Sequence, residues 1–176
     1  MKLENYVKKN HFKLIIGGEG AVGKTTVCKR LTKKLEDDEM LEMTTGIDFH
    51  SLKIKNNYIN VQLWDLGGQD QFRYFQPDFF KGASIVILIF SLDMYFSFKR
   101  ISSWLDLLPQ QMQRNIFLIG NKIDSPNRSV SMEDAFEYAE IAGMKYYEVS
   151  AKNGVGFDEF EADLIKTIES IFDHRL

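Results

Sequence analysis

The chain has 176 residues, a length that suits one globular domain with a buried core. Its residues are 44% hydrophobic and 27% charged, as in a soluble globular protein, and no apolar run approaches the roughly 18 residues that a membrane-spanning helix needs. The formal net charge of -3 gives no sign of a nucleic-acid-binding surface. Cys28 is the single cysteine, which excludes an intrachain disulfide, and we expect a buried, inert thiol in a cytoplasmic protein.

Apolar, strand-like runs alternate with amphipathic segments along the whole chain. The strands are predicted at 12–17, 46–55, 58–64, 84–91, 115–120 and 145–149, and the helices at 24–36, 70–80, 95–108, 131–142 and 157–173. Only Asn56 and Asn57 separate the second and third strands, which predicts a hairpin. This alternation predicts an α/β fold, with a six-stranded, mostly parallel sheet flanked by five helices. We expect one domain over residues 1–176, in which residues 1–10 form an extension of unclear role.

The segment Gly18–Thr25 follows the first predicted strand and precedes the first predicted helix. It fits the pattern G-x-x-x-x-G-K-[ST], a P-loop whose backbone N–H groups surround phosphates at the N-terminus of a helix. Lys24 is expected to reach the β- and γ-phosphates, and the Thr25 hydroxyl to bind Mg²⁺. The predicted nucleotide contacts in this region are Gly20, Ala21, Val22, Gly23, Lys24, Thr25 and Thr26.

A second motif, Asn121–Asp124, follows the fifth predicted strand and indicates the base. The Asp124 carboxylate can accept hydrogen bonds from N1–H and the 2-amino group of guanine, whereas adenine offers no such pair of donors. Asn121 is expected to brace neighbouring loops, and the stem of Lys122 to lie over the ribose and base. These residues predict a preference for GTP and GDP over adenine nucleotides.

The segment Ser150–Lys152 follows the sixth predicted strand and supports the same base. The backbone N–H of Ala151 can donate to guanine O6, an atom that adenine replaces with an amino group. We therefore expect Ser150, Ala151 and Lys152 to contribute to the guanine site.

Residues for the metal and the γ-phosphate complete the predicted site. Asp65 ends the third apolar strand, a position suited to holding Mg²⁺ through water. The N–H of Gly68 can donate to the γ-phosphate, and Gln69 is placed to orient an attacking water. Thr44 can give its hydroxyl to Mg²⁺ and its N–H to the γ-phosphate. Thr45 is a competing choice, but the spacing to the second strand favours Thr44.

Over about residues 11–173 the chain resembles the Ras superfamily of small GTPases. That resemblance implies a small G domain that cycles between GTP and GDP, with slow Mg²⁺-dependent hydrolysis in which Lys24 and Gln69 are catalytic. It also implies two switch segments, at about 36–46 and 66–80, that meet an exchange factor, a GTPase-activating protein and effectors. The motifs that carry the resemblance are Gly18–Thr25, Thr44, Asp65–Gln69, Asn121–Asp124 and Ser150–Lys152.

Within the superfamily the motifs have a mixed character, nearer to Rab than to Arf proteins. Phe49, Trp64 and Phe79 match the aromatic triad that Rab proteins present to effectors. In contrast, the run from Asp65 to Asp70 resembles Arf proteins and heterotrimeric α-subunits, with Gly67 where Ras and Rab proteins carry alanine. The segment 37–43 lacks the aromatic residue that Ras proteins place against guanine, which predicts weaker nucleotide binding or faster exchange.

Two other functions stay open at this point: a GTP-holding scaffold that barely hydrolyses, and a P-loop kinase or ATPase. We expect a monomer with no nucleic-acid partner and no encoded lipid anchor, since the termini carry neither a glycine for myristoylation nor a cysteine for prenylation. The three histidines, at positions 11, 50 and 174, are scattered and receive no role.

Overall fold

The computed structural model describes residues 10–35, 43–56, 58–68, 76–109 and 115–175. Six strands lie in these ranges: β1 (His11–Gly17), β2 (Ile47–Ile54), β3 (Ile59–Leu66), β4 (Ile85–Ser91), β5 (Ile116–Asn121) and β6 (Lys145–Val149). The helices there are α1 (Lys24–Leu31), α2 (Gln76–Phe80), α3 (Tyr95–Lys99), α4 (Ile101–Leu105), α5 (Met132–Ile141) and α6 (Phe157–Asp173). Residues 1–9 of the predicted N-terminal extension lie outside the described residues.

All six strands form one sheet in the order β2-β3-β1-β4-β5-β6. β2 pairs with β3 in antiparallel fashion, and every other neighbouring pair is parallel. The predicted fold class is therefore confirmed. Because the carboxyl ends of parallel strands share one edge, the segments after β1, β3, β5 and β6 are brought together there, at the place where α/β sheets bind ligands.

Apolar side chains fill both faces of the sheet. One layer packs α1 and α6 against it, and Phe160, Leu164 and Ile168 of α6 are fully buried there, as the spacing of the last predicted helix indicates. The opposite layer contains Trp104 of α4 and residues of α2 and α5. The central strand β4 is buried along its whole length, whereas the edge strand β2 is partly exposed. This contrast is typical of a covered parallel sheet with an antiparallel edge.

The predicted elements differ from the structure mainly at helix ends. The predicted helix 95–108 is two short helices that meet at Arg100, where φ of -81° and ψ of -7° stay close to helical values and leave no trace in the sequence pattern. α1 ends at Leu31 rather than 36, because Lys33 adopts a left-handed conformation with φ of 55°, which a right-handed helix cannot contain. Of the predicted helix 70–80, residues 70–75 lie outside the described residues.

No helix among the described residues combines the length and the apolar character that crossing a lipid bilayer requires.

Candidate functional site

The loop between β1 and α1 packs closely against the side chain of Asn121. Gly23, with φ of 94°, stands directly before α1 and supplies no side-chain hydrogen bond to the helix start. A Cβ atom on Gly23 would lie 2.3 Å from Asn121 Nδ2, so only glycine fits this position. The N-terminus of α1 is therefore available to an anion through its backbone N–H groups.

Lys24 places a positive charge inside this loop. Its side chain is buried, and Nζ donates to the carbonyl oxygens of Gly18 at 3.0 Å and Glu19 at 2.7 Å. Burial lowers the pKa of Lys24, and the negative charges of Asp65 and Glu19 partly oppose that effect. A buried ammonium group in this environment gains stability from an anionic ligand.

Thr25, Thr44 and Asp65 bring oxygen atoms together beside Lys24. The Thr25 hydroxyl donates to Asp65 Oδ2 at 2.5 Å and lies 3.0 Å from the Thr44 hydroxyl. Asp65 is fully buried, and burial raises its pKa, an effect that the Thr25 hydrogen bond and the charge of Lys24 oppose. Hydroxyl and carboxylate oxygens are the ligands that Mg²⁺ prefers, so the residues present fit this ion.

A cavity of about 300 Å³ lies over these residues. Its walls come from the phosphate loop and the start of α1, together with Thr44, Gly68 and Lys122. Thr44, Gly68 and Lys122 thus share one cavity with most of the predicted phosphate contacts. Met43 also lines it, and no sequence motif indicates that role. The lining residues on the loop and helix are Gly20, Ala21, Gly23, Lys24, Thr25 and Thr26.

Gly67 joins the segment before β2 to the end of β3. Its N–H donates to the carbonyl of Gly46 at 2.7 Å. A Cβ atom on Gly67 would lie 2.8 Å from the Thr44 carbonyl and 2.9 Å from that of Gly46. The glycine at this position therefore permits a close approach of the two segments that the Cβ atom of an alanine would obstruct.

Asn121, the last residue of β5, braces two loops, as expected. Its side chain is buried, and Nδ2 donates to the Val22 carbonyl at 2.8 Å, while Oδ1 accepts from the Ala151 N–H at 2.9 Å. The sequence assigns that same Ala151 N–H to guanine O6. A contact with O6 would consequently share this donor between two acceptors.

Arg30 also holds this loop, and no sequence motif indicates that role. From α1, its Nε donates to the Ala151 carbonyl at 2.5 Å and its Nη2 to the Lys152 carbonyl at 2.6 Å. The guanidinium carbon also lies 5.7 Å from the centre of the Phe157 ring. The helix that follows the phosphate loop is therefore tied directly to the predicted base-binding loop.

The remaining predicted residues differ in conformation and burial. Lys122 adopts a left-handed conformation with φ of 65°, and Asp124 is exposed. Ser150 is fully buried, and its hydroxyl accepts from the Asn153 N–H at 3.1 Å, which shapes the turn that contains Lys152. Gln69 lies outside the described residues.

The predicted aromatic triad is assembled on the β2–β3 side of the sheet. The ring centres of Phe49 and Trp64 are 4.8 Å apart, and those of Trp64 and Phe79 are 6.4 Å apart. Phe49 is 52% exposed, and Lys13 Nζ lies 3.8 Å from the Trp64 ring centre. The structure thus presents three contacting rings of which one is largely exposed.

Comparisons with known proteins agree with this architecture. The model of the Ras family matches residues 13–170. The chain is 33% identical over 159 residues to Ras-related protein Rab-21 of Homo sapiens, an alignment that covers 88% of this chain and 71% of that protein. It is 34% identical over 164 residues to Ras-related protein Rab-18-B of Danio rerio, with 88% and 80% covered. The Rab side of the resemblance is the one that these relatives support.

Proposed function

Because this chain belongs to the Ras family, and is a small GTPase that binds guanine nucleotide and hydrolyses GTP to GDP, we propose that it acts as a slow GTP/GDP switch. Its similarity to Rab proteins supports a regulatory role of the signalling or trafficking type, exercised from the cytoplasm. We take residues 1–176 as one G domain. Exchange factors, GTPase-activating proteins and effectors are the kinds of partner that the family implies.

The phosphate end of the cleft would stabilise charge during hydrolysis. The ammonium group of Lys24 would neutralise the β- and γ-phosphates, and α1 would offer them the N–H groups of its first turn. Thr25 and Thr44 would hold Mg²⁺ directly and Asp65 would hold it through water, so that the ion neutralises phosphate charge. The hydrogen bonds among these three residues support this assignment.

Gln69 would orient the attacking water, and the N–H of Gly68 would donate to the γ-phosphate. Position in sequence supports both roles, and Gly68 lines the cavity beside Lys24. Positioning and charge neutralisation supply most of the catalysis in phosphoryl transfer by such GTPases, for which Ras is the established template. A low intrinsic rate, raised by a partner's arginine, follows from this arrangement.

The base end would select guanine through the Asp124 carboxylate and the Ala151 N–H. Asn121, Lys122, Ser150 and Lys152 would position these groups and cover the nucleoside. Support comes from the hydrogen bonds that fix Asn121 to Val22 and Ala151.

Switching would involve the segments 36–46 and 66–80. The hydrogen bond from Gly67 to Gly46 already links their described parts. Contacts from Thr44 and Gly68 to the γ-phosphate would order both segments, and hydrolysis would release them. Phe49, Trp64 and Phe79 lie close to both segments and form our candidate effector surface.

The observation that carries this proposal is the convergence of Thr25, Thr44 and Asp65 beside the buried Lys24. The first test is to identify the nucleotide bound to the purified protein and to follow one turnover of added GTP. We expect bound GDP and slow hydrolysis. Intact GTP without turnover would favour the scaffold, and displacement of GDP by ATP would favour a kinase or ATPase.

The Gln69→Leu variant tests the hydrolytic step. Single-turnover hydrolysis should slow roughly 10- to 100-fold, because misplacement of a reactant has costs of that order, while GDP affinity stays unchanged. The matched control is Gln62→Leu, at an exposed position on β3, which should hydrolyse at the normal rate. An unchanged rate for Gln69→Leu would mean that another group positions the water.

A further inference from the structure

Three side chains from different elements meet behind the phosphate end of the cleft. They are Cys28 on α1, His50 on β2 and Asp65 on β3. The Cys28 sulfur, a ring nitrogen of His50 and a carboxylate oxygen of Asp65 all lie within 4.8 Å of one another. A thiol, an imidazole and a carboxylate together make a donor set for a metal ion rather than an ordinary apolar contact.

Two atoms of this cluster have unmet hydrogen-bonding capacity. Among the buried side-chain nitrogen and oxygen atoms of the described residues, His50 Nε2 and Asp65 Oδ1 are the ones without a hydrogen-bond partner. The His50 side chain is 8% exposed, and Asp65 is fully buried. An unpaired polar group in such a place typically costs about 1–3 kcal/mol, so both atoms would gain from a shared ligand.

Neighbouring residues satisfy the cluster only in part. Asp65 Oδ2 accepts from the Thr25 hydroxyl, which leaves Oδ1 for another partner. Asp48 Oδ2 lies 3.6 Å from His50 Nε2, beyond a direct hydrogen bond, and its side chain is 58% exposed. Asp48 pairs with Asp65 across the β2–β3 ladder, so its carboxylate borders the same cluster on the solvent side.

We propose that Cys28, His50 and Asp65 form a binding site for a divalent transition metal of the Zn²⁺ type, with Asp48 as the fourth ligand. Sulfur and nitrogen donors favour Zn²⁺ or Co²⁺ over Mg²⁺, which takes oxygen ligands. Zinc lies about 2.0–2.3 Å from its ligands, so binding draws the three atoms closer together.

Zn²⁺ binds the thiolate form of cysteine, so binding releases the Cys28 proton to the solvent as the metal–sulfur bond forms. The exposed carboxylate of Asp48 marks the side from which the ion enters.

Such a metal would connect α1 to both strands of the β2–β3 hairpin. A ligand that binds only the folded state raises the free energy of unfolding by RT ln(1 + [L]/Kd). Metal binding should therefore raise the unfolding temperature of the protein. The site shares Asp65 with the proposed Mg²⁺ assignment, so GDP retention, which does not depend on Cys28 or His50, distinguishes failure of this proposal from failure of the GTP/GDP switch.

The test uses Co²⁺ as a spectroscopic probe of the full chain, loaded with GDP in excess Mg²⁺. Cys28 is the only cysteine, so any thiolate-to-cobalt charge-transfer band identifies it as a ligand. We expect this band at one equivalent of Co²⁺, its loss when Zn²⁺ is added, and a higher unfolding temperature with Zn²⁺. Cys28→Ser should abolish the band.

Because Cys28 lies in the core, His50→Gln provides a second variant that leaves the Cys28 side chain itself unchanged. It should weaken Co²⁺ binding at least about tenfold and abolish the thermal shift, while GDP retention confirms that it is folded. His174→Gln is the matched control, since His174 is exposed at the end of α6. Absence of a thiolate band in the folded protein, or unchanged Co²⁺ affinity in His50→Gln, would overturn the proposal.

Discussion

The two ends of the proposed nucleotide cleft, called its phosphate end and its base end in line with that proposal, are built from different interactions. At the phosphate end, the side chains of Lys24 and Asp65 are buried. Burial lowers the pKa of Lys24 and raises the pKa of Asp65, so it favours the neutral form of each. At the base end, neutral groups of Asn121, Val22 and Ala151 pair with one another. At the phosphate end, Lys24 would pair with a bound anion and Asp65 with a bound cation. At the base end, the polar groups already form hydrogen bonds with one another.

Because of this difference, we expect one end to determine the affinity for nucleotides and the other to determine the selectivity for the base. Charges that are costly without a ligand contribute most when one binds, so the phosphate end should dominate affinity for any nucleotide. A loop that is already fixed by hydrogen bonds should instead decide which base is accepted. Substitutions at the two ends should therefore have distinct consequences.

The largest effect is expected for Lys24→Ala. Removing one partner of a buried charged group typically costs about 3–5 kcal/mol, which corresponds to a loss of GDP and GTP affinity of roughly 10²- to 10³-fold or more. Titration calorimetry on nucleotide-free protein measures it. Because the phosphates are common to all nucleotides, xanthine and guanine nucleotides should lose affinity equally.

Lys34→Ala is the control for this change, since Lys34 is exposed beyond the end of α1. It should bind GDP normally. Tight binding by Lys24→Ala would contradict the phosphate assignment, and a loss confined to guanine nucleotides would remove the distinction between the two ends.

Asp124→Asn should have the next largest effect, and only on the choice of base. Two hydrogen bonds to a charged acceptor are at stake, each worth about 1.5–3 kcal/mol, so GDP affinity should fall at least about 10²-fold. Xanthosine diphosphate should gain affinity, because xanthine has a carbonyl where guanine has its amino group. Competition between the two nucleotides gives the ratio directly.

A matched exposed carboxylate is Asp134 on α5. Asp134→Asn should leave the ratio of xanthine to guanine affinity unchanged. If Asp124→Asn still preferred GDP, Asp124 would not be the group that recognises the base.

Local patterns in the sequence were sufficient for most of the fold. Each strand was predicted within two residues of its observed ends, because apolar runs and turn residues are local signals, and the motifs fall at the carboxyl edge because parallel strands share it. The cavity accordingly joins the predicted phosphate loop to Thr44 and Lys122. Hydrogen bonds between residues far apart in the sequence could not be predicted from such local signals.

Arg30 and His50 illustrate that limit. The partner of Arg30 is a carbonyl 121 residues away, and backbone acceptors have no sequence signature. His50 stands alone in the sequence, and only the pairing of β2 with β3 and the packing of α1 bring it to Cys28 and Asp65. Met43 belongs to the same class, since nothing but the fold places it on the cavity wall.

The smallest effect, and the sharpest test of the base end, is expected for Arg30→Ala. Its two hydrogen bonds position the Ala151–Lys152 backbone, so we expect GDP to dissociate about tenfold faster, the equivalent of about 1.4 kcal/mol. Arg30→Lys should restore part of the normal rate, since an ammonium group can still donate to one of the carbonyls.

A diphosphate of 2-aminopurine riboside distinguishes positioning from general destabilisation, because its base lacks O6. Arg30→Ala should accelerate its release less than that of GDP, since the Ala151 N–H has no O6 to contact. Arg175→Ala is the control: Arg175 also makes two hydrogen bonds, to the His11 carbonyl and the Ser84 hydroxyl, but at the opposite edge of the sheet. It should lower the unfolding temperature without changing GDP release. Equal acceleration of both nucleotides by Arg30→Ala would mean that Arg30 stabilises the fold rather than the base-binding loop.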